Sequence, residues 1–334
     1  KLASGELGRQ YMNVCSAASV DGYAAFGASI ARDGFKITRD CPAPQALVAD
    51  NAVMAAAPAR LTYTGYGDLI EKIPAGADWM LADELGIEPI DDYVWSLVQG
   101  PLRESLAHPA ELAAGDLKAI ELLGEGQIMS GLAMQAAKSS RPASGAGHQF
   151  SHVWEMEGHG LDWEPPLSHG MKVGVGTIAS LAMWELFLKM EPEDFDIDHA
   201  LASVKSPEYI ENRVRSMLIP RIQDEAVKHS LFKRTEGDEL VARIELLKKV
   251  WPALRERASK QIIPAQDAMD RIKTVGGPYH PEMLKIDWDR FRETHFKAQI
   301  IRSRYTILDI FTDLGILDTV VEKLFLDALD RQEA

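Results

Sequence analysis

The sequence predicts a mixed architecture, α/β plus all-α: a short α/β segment over residues 1–57, then a large helical domain over 58–334. Two textures predict it. Before Pro58 the apolar residues come in short runs, Tyr11–Cys15 and Ala46–Ala49, bounded by Ser, Gly, Pro and Asp, as strands of an open sheet are. After Pro58 they recur at helical spacing almost to the end. A third observation, a histidine-rich stretch between Ser139 and Thr177, places the chemistry in the helical part.

In the first segment the run Tyr11-Met12-Asn13-Val14-Cys15 closes on the small residues Ser16-Ala17-Ala18-Ser19, then on the turn signal Val20-Asp21-Gly22. Phe35–Thr38 alternates and reads as a strand between the two apolar runs. Ligands of open α/β sheets sit beyond the carboxyl ends of the strands, which puts Ser16, Ser19 and Asp21 at a mouth.

The helical part begins with Gly67–Leu81, read as one helix opened by Asp68 and continuing despite Pro74. Tyr93–Leu102 and Ala119–Lys138 follow, the latter with Gly124 and Gly126 as ends or close-packing points. Val173–Met190 is apolar on more than one face and reads as a buried helix. Pro192–Asp198 is an acidic connector and Thr274–Pro281 a loop. Glu208–Ser230, Glu236–Lys260 and Asp287–Gly315 alternate charged and aliphatic residues, as helices with one wet face do.

Thirty-six basic against fifty acidic side chains leave a net charge of −14, which argues against nucleic acid or an anionic membrane as partner. A small anionic substrate stays compatible, because a pocket can be locally positive. Cys15 and Cys41 are too few for a disulfide framework and suit buried thiols in a reducing, cytoplasmic setting. No run reaches the ~18 apolar residues of a membrane span. The chain opens on Lys1 inside a helix-like stretch, so the natural protein is expected to extend further toward its N-terminus. Oligomeric state stays open, with a homo-oligomer as the candidate.

His148 and His152 are one helical turn apart and project from one face, and His169 follows past the Pro165-Pro166 break. Two neutral imidazoles and a carboxylate make a three-ligand metal site with an open position, the arrangement of a catalytic centre. Asp68 is the nominated carboxylate. Its plainer reading is an aspartate that caps a helix. His159 sits in a Gly-rich loop and reads as exposed, and the other histidines show no partner pattern.

Taken together, SAASVDG (Ser16–Gly22), GYGDLIEK (Gly65–Lys72), ADW (Ala77–Trp79), SRPASGAGHQFSH (Ser140–His152), HGMKVGVGT (His169–Thr177) and RSRYTILD (Arg302–Asp309) resemble the iron-containing alcohol dehydrogenase and dehydroquinate synthase superfamily. Within it they are most similar to the sn-glycerol-1-phosphate dehydrogenases. The resemblance implies a partial Rossmann-like nucleotide domain, a helical metal domain and a site in the cleft between them. It implies a divalent metal, zinc or another such as Fe2+ or Ni2+, held by Asp68, His148 and His169. It turns His152 toward the substrate, sets Asp21 near the nicotinamide of NAD(H) or NADP(H), and lines the cofactor with Ser16 and Ser19. The implied reaction interconverts dihydroxyacetone phosphate and sn-glycerol 1-phosphate. Lys72 and Arg141 are the nearest cations in sequence for that small phosphorylated substrate, and RSRYTILD reads as structural. A polyol dehydrogenase or a cyclising lyase like dehydroquinate synthase is the alternative, though the lyase carries glutamate where Asp68 stands. The family's glycine-rich pyrophosphate turn should precede a segment like Lys1–Tyr11, and Gly5 and Gly8 are a poor substitute for it. Gly147 stands where relatives carry a larger or acidic residue, so the surroundings of the site should differ.

Overall fold

The computed structural model describes residues 1–32 and 35–332, with side chains at all of these except 29, 31–32, 35–38 and 327–332. After a short helix α1 (Leu2–Glu6), strands β1 (Met12–Cys15) and β4 (Ala46–Ala49) pair in parallel, with Met12 opposite Ala46 and Cys15 opposite Ala49. These are the two apolar runs read as strands. The alternating segment is also a strand, β3 (Phe35–Arg39), but it does not join that sheet. It pairs antiparallel with an unpredicted strand, β2 (Ala28–Arg32). Short antiparallel neighbours need only a tight connection, whereas a parallel partner needs a long crossover.

From Asn51 onward the described chain is helical. Helix α2 (Asn51–Ala55) is capped by Asp50, and α3 (Ala59–Ile70) and α4 (Lys72–Glu84) meet at Glu71. The predicted single helix over Gly67–Leu81 is therefore two, and Asp68 lies in the last turn of α3 rather than opening a helix. Pro74 falls in the first turn of α4, where its missing N–H deprives no intrahelical bond. Next come α5 (Asp92–Ser105), α6 (Pro109–Ala113) and α7 (Leu117–Ala137), the last capped by Asp116. Helices α8 (Ala146–Met156) and α9 (His169–Phe187) carry the histidines. Of the connector 192–198, the last residues already belong to α10 (Ile197–Ser203), capped by Asp196.

The segment read as one helix over Glu208–Ser230 is α11 (Pro207–Met217) and α12 (Pro220–Lys233), separated where Pro220 starts a new helix. Helix α13 (Gly237–Gln261) follows its prediction and α14 (Ala265–Val275) ends at Gly276. The last predicted helix is also split, into α15 (Trp288–Ile300) and α16 (Ile307–Asp313), before α17 (Leu317–Gln332). Thr306 and Asp309 form a capping box that restarts the helix.

The main core is aromatic: Phe150, Trp154, Trp184, Phe187, Phe195, Trp251 and Phe311 are all fully buried between α8, α9, α13 and α16. Both cysteines are buried and free. No single helix among the described residues is long and apolar enough to cross a membrane. What positions the site is the packing of α9 against both α3 and α8. At the first contact a Cβ on Gly170 would lie 1.9 Å from Thr64 O, and one on Gly67 would lie 2.4 Å from Gly170 O. At the second a Cβ on Gly176 would lie 2.4 Å from Gly147 O. Glycine alone lets these backbones approach so closely, and Asp68, His148 and His169 are the neighbours of those glycines in sequence.

Candidate metal centre

Helix α8 has no cap of its own at its N-terminus. Its first N–H groups are met from a distance: Ala146 N donates to Asp78 Oδ2 at 2.8 Å and Gly145 N to Glu71 Oε1 at 3.0 Å. Asp78 also accepts from Trp184 Nε1 (3.0 Å) and Ile307 N (2.9 Å), so one buried carboxylate ties α4, α8, α9 and α16 together. Burial pushes its carboxyl up to about 7. This anchoring fixes the rotation of α8 about its axis, and so the direction in which His148 points.

The three nominated groups converge. One ligand atom from each of Asp68, His148 and His169 lies within 4.8 Å of the others, and no other such trio of His, Cys, Asp and Glu occurs among the described residues. Asp68 Oδ1 is 3.3 Å from His148 Nε2 and 4.0 Å from His169 Nε2. An ion bound about 2.1 Å from each of its donors keeps them roughly 3.4 Å apart in a tetrahedral site, so these spacings fit. The rings are also held in the right sense. Glu71 Oε2 lies 2.8 Å from His148 Nδ1, and Glu155 Oε1 lies 2.7 Å from His169 Nδ1. A carboxylate at Nδ1 leaves Nε2 to serve as the ligand, the usual support of a metal-binding histidine.

The charge balance points the same way. Asp21, Asp68 and Glu71 are buried together, and the lysine among them is Lys72, wholly buried, its Nζ 2.8 Å from Asp21 Oδ2 and 3.2 Å from Asp68 Oδ1. Burial opposes ionisation of Asp68, but Lys72, His148 and His169 outweigh it and hold the carboxyl well below the usual range. Burial likewise disfavours a charged His148, yet Glu71 and Asp68 prevail and raise its proton affinity. Carboxylate oxygens thus stand at both ring nitrogens of His148. That donor set suits a divalent metal.

The other predicted residues fall around this cluster. Asp21 N donates to Asp68 Oδ2 at 3.1 Å, and Asp21 Oδ2 accepts from Ser130 Oγ at 2.9 Å. Ser16 is exposed just past β1, and Ser19 Oγ lies 3.0 Å from Tyr23 Oη. The His152 ring stacks 6.0 Å from that of His169 and is 6.0 Å from that of His148. Lys72 and Arg141, the expected phosphate cations, are both buried and committed to protein acceptors. Arg141 donates to Tyr305 O (2.9 Å) and Asp78 O (2.7 Å), and its Nε is 3.3 Å from Glu88. His159, expected exposed, is half-buried, bound to Leu284 O at 2.6 Å and to Arg290 at 3.0 Å. Gly147 gives room to Glu71: a Cβ there would meet Glu71 Cγ at 2.9 Å. Glu71 and Glu155 escaped sequence reasoning, although Glu155 shares a helix face with His148 and His152 at spacings of seven and three.

A family model described as iron-containing alcohol dehydrogenase matches residues 1–58. A glycerol-1-phosphate dehydrogenase (NAD(P)+) of Halalkalibacterium halodurans is 37% identical over 195 residues, 58% of this chain and 49% of its own length. One of Bacillus licheniformis is 34% identical over 318 residues, 95% of this chain and 66% of its own. The chain thus spans about half the length of several curated relatives it matches. Among solved structures, a probable glycerol dehydrogenase from Sinorhizobium meliloti 1021 superposes with a TM-score of 0.54 at 17% identity, over 96% of this chain and 73% of that one. This likeness establishes the fold: a small parallel sheet from a partial Rossmann-like domain, followed by a helical domain.

Proposed function

We propose, from the chain's place in the iron-containing alcohol dehydrogenase family, to which it belongs by sequence, that it reduces dihydroxyacetone phosphate to sn-glycerol 1-phosphate and runs the reverse. The observation that carries this is the convergence of Asp68 with the Nε2 atoms of His148 and His169, each ring braced by a carboxylate at Nδ1. Those three side chains would hold a divalent ion, zinc in the first instance with Fe2+ or Ni2+ as alternatives. When bound, the ion supplies Lewis acidity at an oxygen that gains negative charge as hydride reaches the ketone carbon, and the reduced nicotinamide supplies that hydride.

The chain's own residues do the rest. The strand pair before Asn51 forms part of the nucleotide domain in this reading, residues 1–57, with 58–334 as the metal domain. Ser16 and Ser19 line the cofactor from the carboxyl end of β1. Asp21 reaches from that segment to the metal domain, joined to it by its N–H on Asp68 and its carboxylate on Lys72 and Ser130. Lys72 offsets the charge of two carboxylates that would otherwise repel each other. His152, beside the triad, relays the proton that the product oxygen takes up. The acidic surface and two free thiols suit a cytoplasmic enzyme with a small substrate.

The test is a turnover assay of the full-length, zinc-loaded protein with dihydroxyacetone phosphate, followed by loss of NADH or NADPH absorbance. Turnover that needs both metal and ketone is expected. A metal-loaded, cofactor-binding protein that leaves both nicotinamides unoxidised contradicts the reading.

A further inference from the structure

His152, whose ring lies 6.0 Å from those of His148 and His169, also borders a cavity of about 90 Å³ with an unusual lining for so acidic a chain. Two arginines, two histidines, three serines and a glutamine surround it, and no carboxylate does among the described residues. Its cations come from separate elements: His152 from α8, His229 from α12, and Arg302 and Arg304 from the link between α15 and α16. With a net charge of −14, a positive hollow of this kind exists only because the fold gathers it.

The two arginines differ in what they have left to offer. Arg304 donates to Ser144 O at 2.9 Å and to Ser140 Oγ at 2.9 Å, so it braces the loop that forms one wall. Arg302 keeps a buried Nε with no hydrogen-bond partner among the described residues. A buried cationic donor without an acceptor is costly, and a ligand oxygen removes that cost. The carboxylate whose field reaches Arg302 is Glu155, already drawn to His169 Nδ1. Burial and then Arg302 lower the proton affinity of His229, and burial and then Arg141 bring Arg304 down to about 9. The cluster is short of negative charge.

We infer that this cavity is the subsite for the substrate's phosphate, with Arg302 as its principal ligand and His229 and His152 beside it. Resting on the dehydrogenase reading, this assigns the phosphate to Arg302 in place of Lys72 and Arg141, neither of which lines the cavity. His152 lines the cavity, and its ring lies 6.0 Å from the rings of both ligand histidines, which sets the cavity beside the triad.

The experiment compares the full-length, metal-loaded protein with Arg302→Gln, Arg302→Lys and His229→Gln. Inorganic phosphate binding is read by calorimetry, and kinetics with dihydroxyacetone phosphate and unphosphorylated dihydroxyacetone. Arg302→Gln is expected to weaken phosphate binding and raise KM for the phosphorylated ketone, each on the order of 10- to 100-fold, with kcat changed far less. Its kcat/KM preference for the phosphorylated over the unphosphorylated ketone falls with them, Arg302→Lys recovers part of the loss, and His229→Gln gives a smaller loss. A folded Arg302→Gln protein with full metal content and unaltered phosphate affinity and KM overturns the subsite while leaving the dehydrogenase reading intact. A protein that binds phosphate through Arg302 yet reduces no ketone keeps the anion site and sinks the dehydrogenase reading.

Discussion

His148 and His295 are both buried side chains, and the fold drives their protons in opposite directions. His148 on α8 has Glu71 at 2.8 Å from one ring nitrogen and Asp68 at 3.3 Å from the other, so its proton affinity is raised although burial works against the charge. His295 on α15 lies edge-on to Phe150, Phe291 and Phe325, with ring centroids 4.7 to 5.5 Å away, and its Nδ1 meets Phe291 O at 2.9 Å. Burial there goes unanswered by any carboxylate, and the proton affinity drops to about 4. The contrast shows what makes a site out of a buried histidine: burial supplies the low dielectric, and neighbouring carboxylates decide whether the ring is ready for a cation. In the proposed reading one region takes a positive ion and the other excludes one.

The strongest way to break the comparison is to remove the carboxylate both ligand rings face. Asp68→Ala should lose bound metal and at least about 10³-fold in activity. Metal analysis of the purified protein checks it, and a stoichiometric ion in the variant would contradict the account. Next is Lys72→Met, which leaves Asp21 and Asp68 without their cation. Breaking a buried pair in this way costs roughly 3–5 kcal/mol of stability, readable as a shift in the urea midpoint of the metal-free protein.

The aromatic region gives a pH signature. The folded-state value of His295 is about 4, below the ordinary 6.5, so between those limits the unfolded chain binds more protons than the native one. Its contribution to stability is full above pH 6.5 and disappears as pH falls through the window to about 4, a loss of about 3 kcal/mol. Urea denaturation at the two ends of the window measures it, and His295→Gln should flatten that share of the slope. The smallest effect sharpens the site. Glu71→Gln and Glu155→Gln should each weaken metal binding by about 10- to 100-fold while leaving the fold intact. The buried Glu71 should matter more than the partly exposed Glu155, and competition with a chelator ranks them.

Much of this was legible in the chain. The change of texture placed near residue 58 anticipated strands followed by helices, although the last strand ends at Ala49 and the helices run from Asn51, and the four-residue step from His148 to His152 marked a helix face. The single helix over Gly67–Leu81 was misread because the break at Glu71 leaves the 3.6-residue pattern intact. The strand at Phe35 was found but not its partner, since alternation reports a strand and not its neighbour. Glu71 and Glu155 were hidden among fifty acidic residues. Arg302 and His229 lie 73 positions apart, and only the packing of α12 beside the α15–α16 link brings them to one cavity. The pairing of Lys72 and Arg141 with internal acceptors was likewise invisible, because sequence gives the charge of a lysine or arginine and not where its donors are spent.

The most direct test of the central claim is a crystal structure of the metal-loaded protein with an anomalous map collected at the absorption edge of the ion. The account predicts one peak about 2.0–2.2 Å from an Asp68 oxygen and from Nε2 of both His148 and His169, with Glu71 and Glu155 still on the Nδ1 atoms. An ion bound through Nδ1 of either ring, or a peak away from Asp68, would contradict it.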